Sequence, residues 1–284
     1  MSALPVLSTA APCDAPALAR LAVECLRLEL DTYPKPGLVS RIDSGSHDDM
    51  DAATFEASAA ALEPHFAELA QAGAQGLPMD ALRRIGLDAE AAMRAATGGV
   101  NTHRGAIFGL GLLVAAAGAL AAPGCRLAPG ALGFHVRARH ARAILGGPVL
   151  LHAPGAQARR RYGVGGAPAE ASAGFPTLYR VGLPALHRGR RARAGEEAAR
   201  VEACLALIAA LDDTNLLHRG GEAGARFARA EAAGFVAAGG VAQEDWHARA
   251  EALHRAFVAC RLSPGGAADL LAMTVFVDRL ERAP

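Results

Sequence analysis

Long Ala-, Leu-, Glu- and Arg-rich stretches alternate along this chain with short glycine and proline clusters, which leaves little choice of fold. Runs of alternating Val, Ile, Thr and aromatic residues, the mark of strands, are few, and the stretches between breaks consist of strong helix formers. The pattern predicts helices over 14–31, 51–73, 80–96, 102–121, 134–145, 195–212, 222–238, 243–260 and 264–281. Clusters such as Pro34-Lys35-Pro36-Gly37, Gly98-Gly99 and Gly220-Gly221 separate them. Asp51, Asp80 and Ser263 followed by Pro264 are the expected caps. With no internal repeat and no long linker, the expectation is an all-α fold, a single compact multi-helix domain over residues 1–284.

Composition narrows the function classes. Hydrophobic residues make up 52% and charged residues 20%, a globular balance. A net charge of +1 argues against a protein held on nucleic acid by bulk positive charge. The apolar stretch Ala106 to Ala122 is at the short limit for a membrane span and reads better as a buried helix. The basic run His187 to Arg193 reads as a solvated loop. Cysteines 13, 25, 125, 204 and 260 form no CxxC pair, and the N-terminus has no secretory pattern; a cytoplasmic protein with reduced thiols is expected.

Nearly every cation is arginine, and Lys35 is the only lysine. It stands in a stiff Pro-Lys-Pro-Gly turn, expected to face solvent. The expectation is that Lys35→Arg costs activity and leaves thermal stability almost unmoved. Asparagine is nearly as rare, with Asn101 and Asn215 alone.

Three constellations carry possible chemistry. In Glu29 to Asp51, the residues Asp43, His47, Asp48, Asp49 and Asp51 crowd a loop before a helix, a pattern suited to Mg²⁺ or proton transfer. In Thr97 to Gly111, a glycine-rich loop enters an apolar helix. Asn101 or Thr102 is the expected cap there, with His103 and Arg104 in the first turn and Gly105 permitting close approach. Such a helix start attracts phosphate. In Asp212-Asp213-Thr214-Asn215, two carboxylates close an apolar helix against its dipole, a conflict that a bound cation would relieve. The Ala158-Arg159-Arg160-Arg161-Tyr162-Gly163 run, Glu170 before Gly174-Phe175-Pro176 and the Ser263 segment are weaker signals. The chain has no P-loop, no GxGxxG after a strand, no GxSxG elbow and no HExxH helix.

Together these segments resemble the triphosphoribosyl-dephospho-CoA synthase family. The matching pieces are PKPGLV (34–39), GSHDDMD with TF and S (45–58), Glu90 within GLDAEAAM, TGGVNTHRGAIFGLGLL (97–113), YGVGGAPAEASAGFP (162–176), DDTNLLHRGG (212–221) and LSPGGAADLLAMT (262–274). The form SGSHDDMDAATF and the length resemble the branch that serves malonate decarboxylase. The resemblance implies transfer of the 5-triphosphoribosyl group of ATP to the ribose 2′-hydroxyl of 3′-dephospho-CoA, with adenine leaving. It implies Mg²⁺ with the ATP, no nucleic acid and no membrane, and leaves a homo-oligomer open.

Under that reading Lys35, Arg104 and Arg219 sit on phosphate, with Gly37, Asn101, Thr102, Gly105, Glu170, Asn215 and Ser263 among the substrate contacts. The base is one of Asp49, Glu29 and Glu90, and His47 or His103 protonates the leaving adenine. Asp212 and Asp213 are the metal candidates, followed by Asp49. Two other readings stand beside this one: a helical metal phosphohydrolase built on His47-Asp48, and a non-catalytic assembly partner of the decarboxylase.

Overall fold

The computed structural model describes residues 14–120, 127–148 and 153–281. They form twelve α-helices and no strand. In chain order these are α1 (Ala15–Leu30), α2 (Ala52–Ala74), α3 (Met79–Ala96), α4 (Arg104–Leu120), α5 (Ala131–Leu145), α6 (Pro154–Tyr162), α7 (Gly166–Ser172), α8 (Leu183–Arg191), α9 (Glu196–Ala210), α10 (Thr214–Ala237), α11 (Trp246–Ala259) and α12 (Gly265–Glu281). A π turn, Leu178–Gly182, leads into α8, and a 3₁₀ turn, Gly240–Ala242, precedes α11.

Two helices are buried almost along their whole length, and the others pack around them. The first is α4, the apolar Ala106 stretch, buried from Ala106 to Gly118 except at Phe108. It lies against α1, α2, α3, α5 and α12. No helix among the described residues is long and apolar enough to cross a membrane. α2 meets α4 backbone to backbone: a Cβ on Gly73 would lie 1.8 Å from the Ala115 carbonyl, and one on Gly118 would lie 2.0 Å from that of Ala70. The second is α9, packed against α8, α10 and α12, so that α12 joins the two groups.

Local signals explain most starts. Asp51 caps α2 in a capping box with Thr54, its Oδ1 accepting from Thr54 N at 2.8 Å. Asp80, expected to cap α3, lies instead within its first turn, after an N-cap at Pro78. The break expected at Gly221 is real, since that residue leaves helical geometry (φ 60°, ψ −163°), but the chain is helical on both sides of it.

α6, α7 and α8 were not expected. The run His187 to Arg193 is no solvated loop but largely the second half of α8, with Ala185, Leu186 and Gly189 buried. Its cations reach inward to acids on neighbouring helices. Arg188 holds Glu202 at 2.8 Å, and Arg190 and His187 hold the buried Asp278 at 2.9 and 2.8 Å. Charge patterning alone does not separate an outward-facing run from one that satisfies buried carboxylates.

Candidate active site

A cavity of about 600 Å³ is lined by residues of α1 to α7, α10 and α12. The first residues of four helices meet at its wall: Arg104 and Gly105 of α4, Pro154 and Gly155 of α6, Thr214 and Asn215 of α10, and Gly265 and Gly266 of α12. Each start brings the positive end of a helix dipole to the wall, which suits a multiply charged anion, although Asp213 already takes N–H groups of α10 and α12 and Asp269 takes one of α4. One side of the cavity is apolar, formed by Leu69, Met79, Leu82, Phe108, Leu112 and Ile144.

Three carboxyl groups lie deep in this wall. Glu29, at the end of α1, is 5% exposed, and its carboxylate accepts from Lys35 Nζ. Asp213 is 2% exposed. Its Oδ1 caps α10 by accepting from Asn215 N at 2.8 Å, while its Oδ2 accepts from Ala267 N in the first turn of α12 at 3.0 Å. Asp269 is the most open of the three, only half-buried, with its carboxylate laid on the first turn of α4. It accepts a backbone hydrogen bond from Ala106. A Cβ on Gly105 would lie 1.9 Å from its Oδ2, so only glycine lets the carboxylate come this close. Burial pushes Asp269 well above the usual carboxylate range, and the neighbouring charges of Glu29 and Asp213 push the same way. Glu29 and Asp213 are also raised by burial, against the pull of Lys35 on the first and of backbone hydrogen bonds on the second.

The two histidines on the wall are held neutral. His103 is 4% exposed, and its Nδ1 lies 2.6 Å from Ser58 Oγ, which itself accepts from Thr102 Oγ1 at 2.7 Å. Its Nε2 is buried without a partner. Burial, aided by the charge of Lys35, lowers the imidazole to about 4. His47 Nε2 lies 2.8 Å from Ser263 Oγ, and Arg219 donates to its Nδ1 at 3.2 Å. Burial and the Arg219 charge lower it against the pull of Asp49. Neither ring is therefore an imidazolium ready to protonate a leaving group at neutral pH.

Arginines complete the wall. Arg104 pairs with Glu90 at 3.2 Å. Arg219 also donates to the Ser46 and Arg261 carbonyls, each at 3.1 Å. Arg159 of α6 lines the cavity with its Nε buried and unpartnered. Asn101 and Thr102 stand at the same wall, although it is the carbonyl of His103 that takes the first bond of α4, from Ile107. Glu170 also lines it, with its two oxygens accepting from Thr177 N and Oγ1 at 2.7 and 3.0 Å.

Other expected residues are placed differently. Lys35 faces no solvent: it is 0% exposed, lies behind the wall and gives its ammonium to Glu29. Gly37 also lies off the cavity; a Cβ there would sit 2.0 Å from the Leu262 carbonyl, so its glycine serves packing. Asp49 lies off the wall with its side chain 63% exposed, poorly placed as a base. Asp48 pairs with Arg261 at the surface, so His47-Asp48 is not a metal pair.

The metal candidates do not make a resident Mg²⁺ cage. Asp213 has no dipole conflict to relieve, because α9 ends at Ala210 and Asp213 starts the next helix. Both its oxygens are committed to backbone N–H groups, and Asp212 pairs with Arg229 at 2.6 Å. Among the described residues no group of three or more His, Cys, Asp or Glu is placed to hold a metal ion.

Sequence reasoning missed Asp269 and undervalued Arg159. Asp269 stands inside a matched motif as a lone acid in the apolar run GGAADLLAMTVF, which was the available signal. Arg159 was hidden in an Arg-Arg-Arg-Tyr run whose three guanidiniums look alike in sequence.

Helix starts, arginines and inner acids around one cavity suit an enzyme that acts on phosphorylated substrates. Comparison with known proteins narrows this. The profile of the family described as CitG, ATP:dephospho-CoA triphosphoribosyl transferase, matches residues 15–284. A protein of Stutzerimonas stutzeri (strain A1501) is 46% identical over 292 aligned residues, covering 100% of this chain and 97% of the relative. One of Pseudomonas aeruginosa (strain UCBPP-PA14) is 46% identical, covering 93% and 90%, and one of Azotobacter vinelandii is 44% identical, covering 95% and 93%. All three carry the name "Probable 2-(5''-triphosphoribosyl)-3'-dephosphocoenzyme-A synthase". No solved structure matches the chain. The chain belongs to the triphosphoribosyl-dephospho-CoA synthase family and is a transferase.

Proposed function

We propose that this chain joins the ribose 2′-hydroxyl of 3′-dephospho-CoA to the anomeric carbon of the ATP ribose. The bond from that carbon to adenine breaks, its electron pair leaves with the base, and the triphosphate stays on the transferred sugar. The observation that carries the reading is the division of the cavity. Helix starts with Arg104, Arg159 and Arg219 suit a triphosphate, the inner acids suit a sugar carbon that becomes cationic, and the apolar side suits the long organic arm of dephospho-CoA. Mg²⁺ enters on the ATP as part of the substrate, bound mainly by phosphate oxygens. The SGSHDDMDAATF segment supports a place in making the prosthetic-group precursor of a malonate decarboxylase acyl carrier protein. Free Cys25, Cys204 and Cys260 accord with a cytoplasmic setting.

The test is incubation with ATP, Mg²⁺ and dephospho-CoA, followed by chromatography. Free adenine is the expected product. ADP as the main product would indicate phosphoryl transfer, and no turnover would favour the assembly-partner reading.

A further inference from the structure

We propose that Asp269 is the proton donor to the departing adenine. This assignment rests on the transfer reaction above and supplies the acid that neither histidine can be.

Glycosyl transfer to a hydroxyl needs a base where the hydroxyl proton leaves and an acid where the nucleobase departs. Asp269 combines the needed properties; Glu170, also on the cavity wall and raised by burial, spends both oxygens on Thr177. Asp269 is deep enough to hold a proton, yet of the three inner carboxyls, all of which line the cavity, it is the most open. Glu29 is closed in by Lys35, and Asp213 spends both oxygens on helix starts. Asp269 lies where α4 begins, beside Gly105, and the unpartnered His103 Nε2 belongs to the same loop-to-helix junction. A buried ring nitrogen without a protein partner marks a place where a ligand completes the hydrogen bonding. Ser58 donates to Nδ1 in the tautomer that leaves Nε2–H free, a neutral donor for an acceptor nitrogen of a purine. A base seated between His103 Nε2 and Asp269 has a fixed donor on one side and a labile proton on the other.

The step balances. The Asp269 O–H bond breaks, its proton goes to a ring nitrogen of adenine, and the electron pair of the glycosidic bond stays with the base. The proton of the 2′-hydroxyl passes to a base in the cavity as the new C–O bond forms. Asp269 is left as a carboxylate and regains a proton after adenine leaves, so the cycle has no net proton change.

Asp269→Asn keeps the shape and removes the labile proton. The expected result is a loss of about 100-fold or more in adenine release at an unchanged melting temperature. The alkaline limb of the wild-type pH profile, where Asp269 loses its proton, is expected to vanish. With 8-azaadenosine triphosphate, whose extra ring nitrogen stabilises the departing anion, the gap between variant and wild type is expected to shrink at least tenfold. Adenine release within threefold of wild type, or a gap unchanged with the better leaving group, overturns the assignment. Should Asp269→Asn fail to fold, Gly105→Ala gives a second reading, because its methyl must displace the carboxylate while the charge stays in the protein. It is expected to show the same loss and the same recovery with the analogue; wild-type kinetics in Gly105→Ala overturn the proposal. A wild-type protein that releases no adenine overturns the transfer reading, and this assignment with it.

Discussion

Lys35 donates its ammonium to the main-chain carbonyl of Glu29 at 2.6 Å and to the carboxylate of the same residue, and both side chains are buried. The pair fixes the end of α1 to the loop behind the cavity. Removing one partner strands the other charge in a poorly solvated place.

Lys35→Met is therefore expected to lower stability by about 3–5 kcal/mol. Lys35→Arg is expected to lower it too, because a wholly buried site has no room for a broader head group; this replaces the expectation of an unchanged melting temperature. Urea unfolding of both variants is the check. Wild-type midpoints would show that the pair carries no structural load.

Asp213→Asn is expected to act on folding and not on metal. One amide group must face an N–H that a carboxylate oxygen now satisfies, either at Asn215 or at Ala267. The cost is about 1–2 kcal/mol. Melting temperature and Mg²⁺ titration of activity, measured on the same preparation, separate the two. A shifted Mg²⁺ titration with unchanged melting would restore Asp213 as a metal ligand.

His103 makes stability fall with acid. Its value in the fold is about 4 against an ordinary 6.5, so between these limits the unfolded chain takes up a proton that the folded chain refuses. Stability from this group is complete above 6.5 and is lost as pH falls toward 4, by up to about 3 kcal/mol. The raised carboxyls Glu29, Asp213 and Asp269 work in the opposite sense, so the group is isolated by comparison with His103→Gln. The glutamine variant is expected to lose less stability than wild type over this window. Parallel denaturation curves across it would mean that His103 is not the titrating group.

Arg159→Leu tests the phosphate pole. The side chain lines the cavity with an unpartnered Nε, so its loss should leave folding alone. The apparent KM for ATP is expected to rise about tenfold or more, the scale of one charge-assisted hydrogen bond. Unchanged ATP kinetics would remove Arg159 from the substrate.

The helices around the cavity were legible because their signals are short-ranged. α4 follows a glycine-bearing loop with an unbroken apolar run, α12 follows the Ser263-Pro264 signal with a largely apolar one, and Asp51 announces α2 through its capping box. α8 was not legible, because the acids that attract Arg188 and Arg190 lie on α9 and α12. The candidate site was half legible. His47, His103, Glu90, Arg104 and Arg219 do share one cavity, whereas Asp49 and Lys35 stand outside its wall.

From sequence alone came the all-helical architecture, the family and the chemistry it implies, because helix propensity, breaks and motif strings reside in neighbouring residues. Only the tertiary structure decided which charged groups are spent and which are open. Asp213 and Asp269 are both acids in matched motifs, and nothing adjacent to either tells them apart. One is consumed by the starts of α10 and α12, and the other is laid against Gly105 with a face to the cavity. Desolvation and hydrogen-bond supply are set by groups distant along the chain, and those are the forces that assign a carboxyl its work.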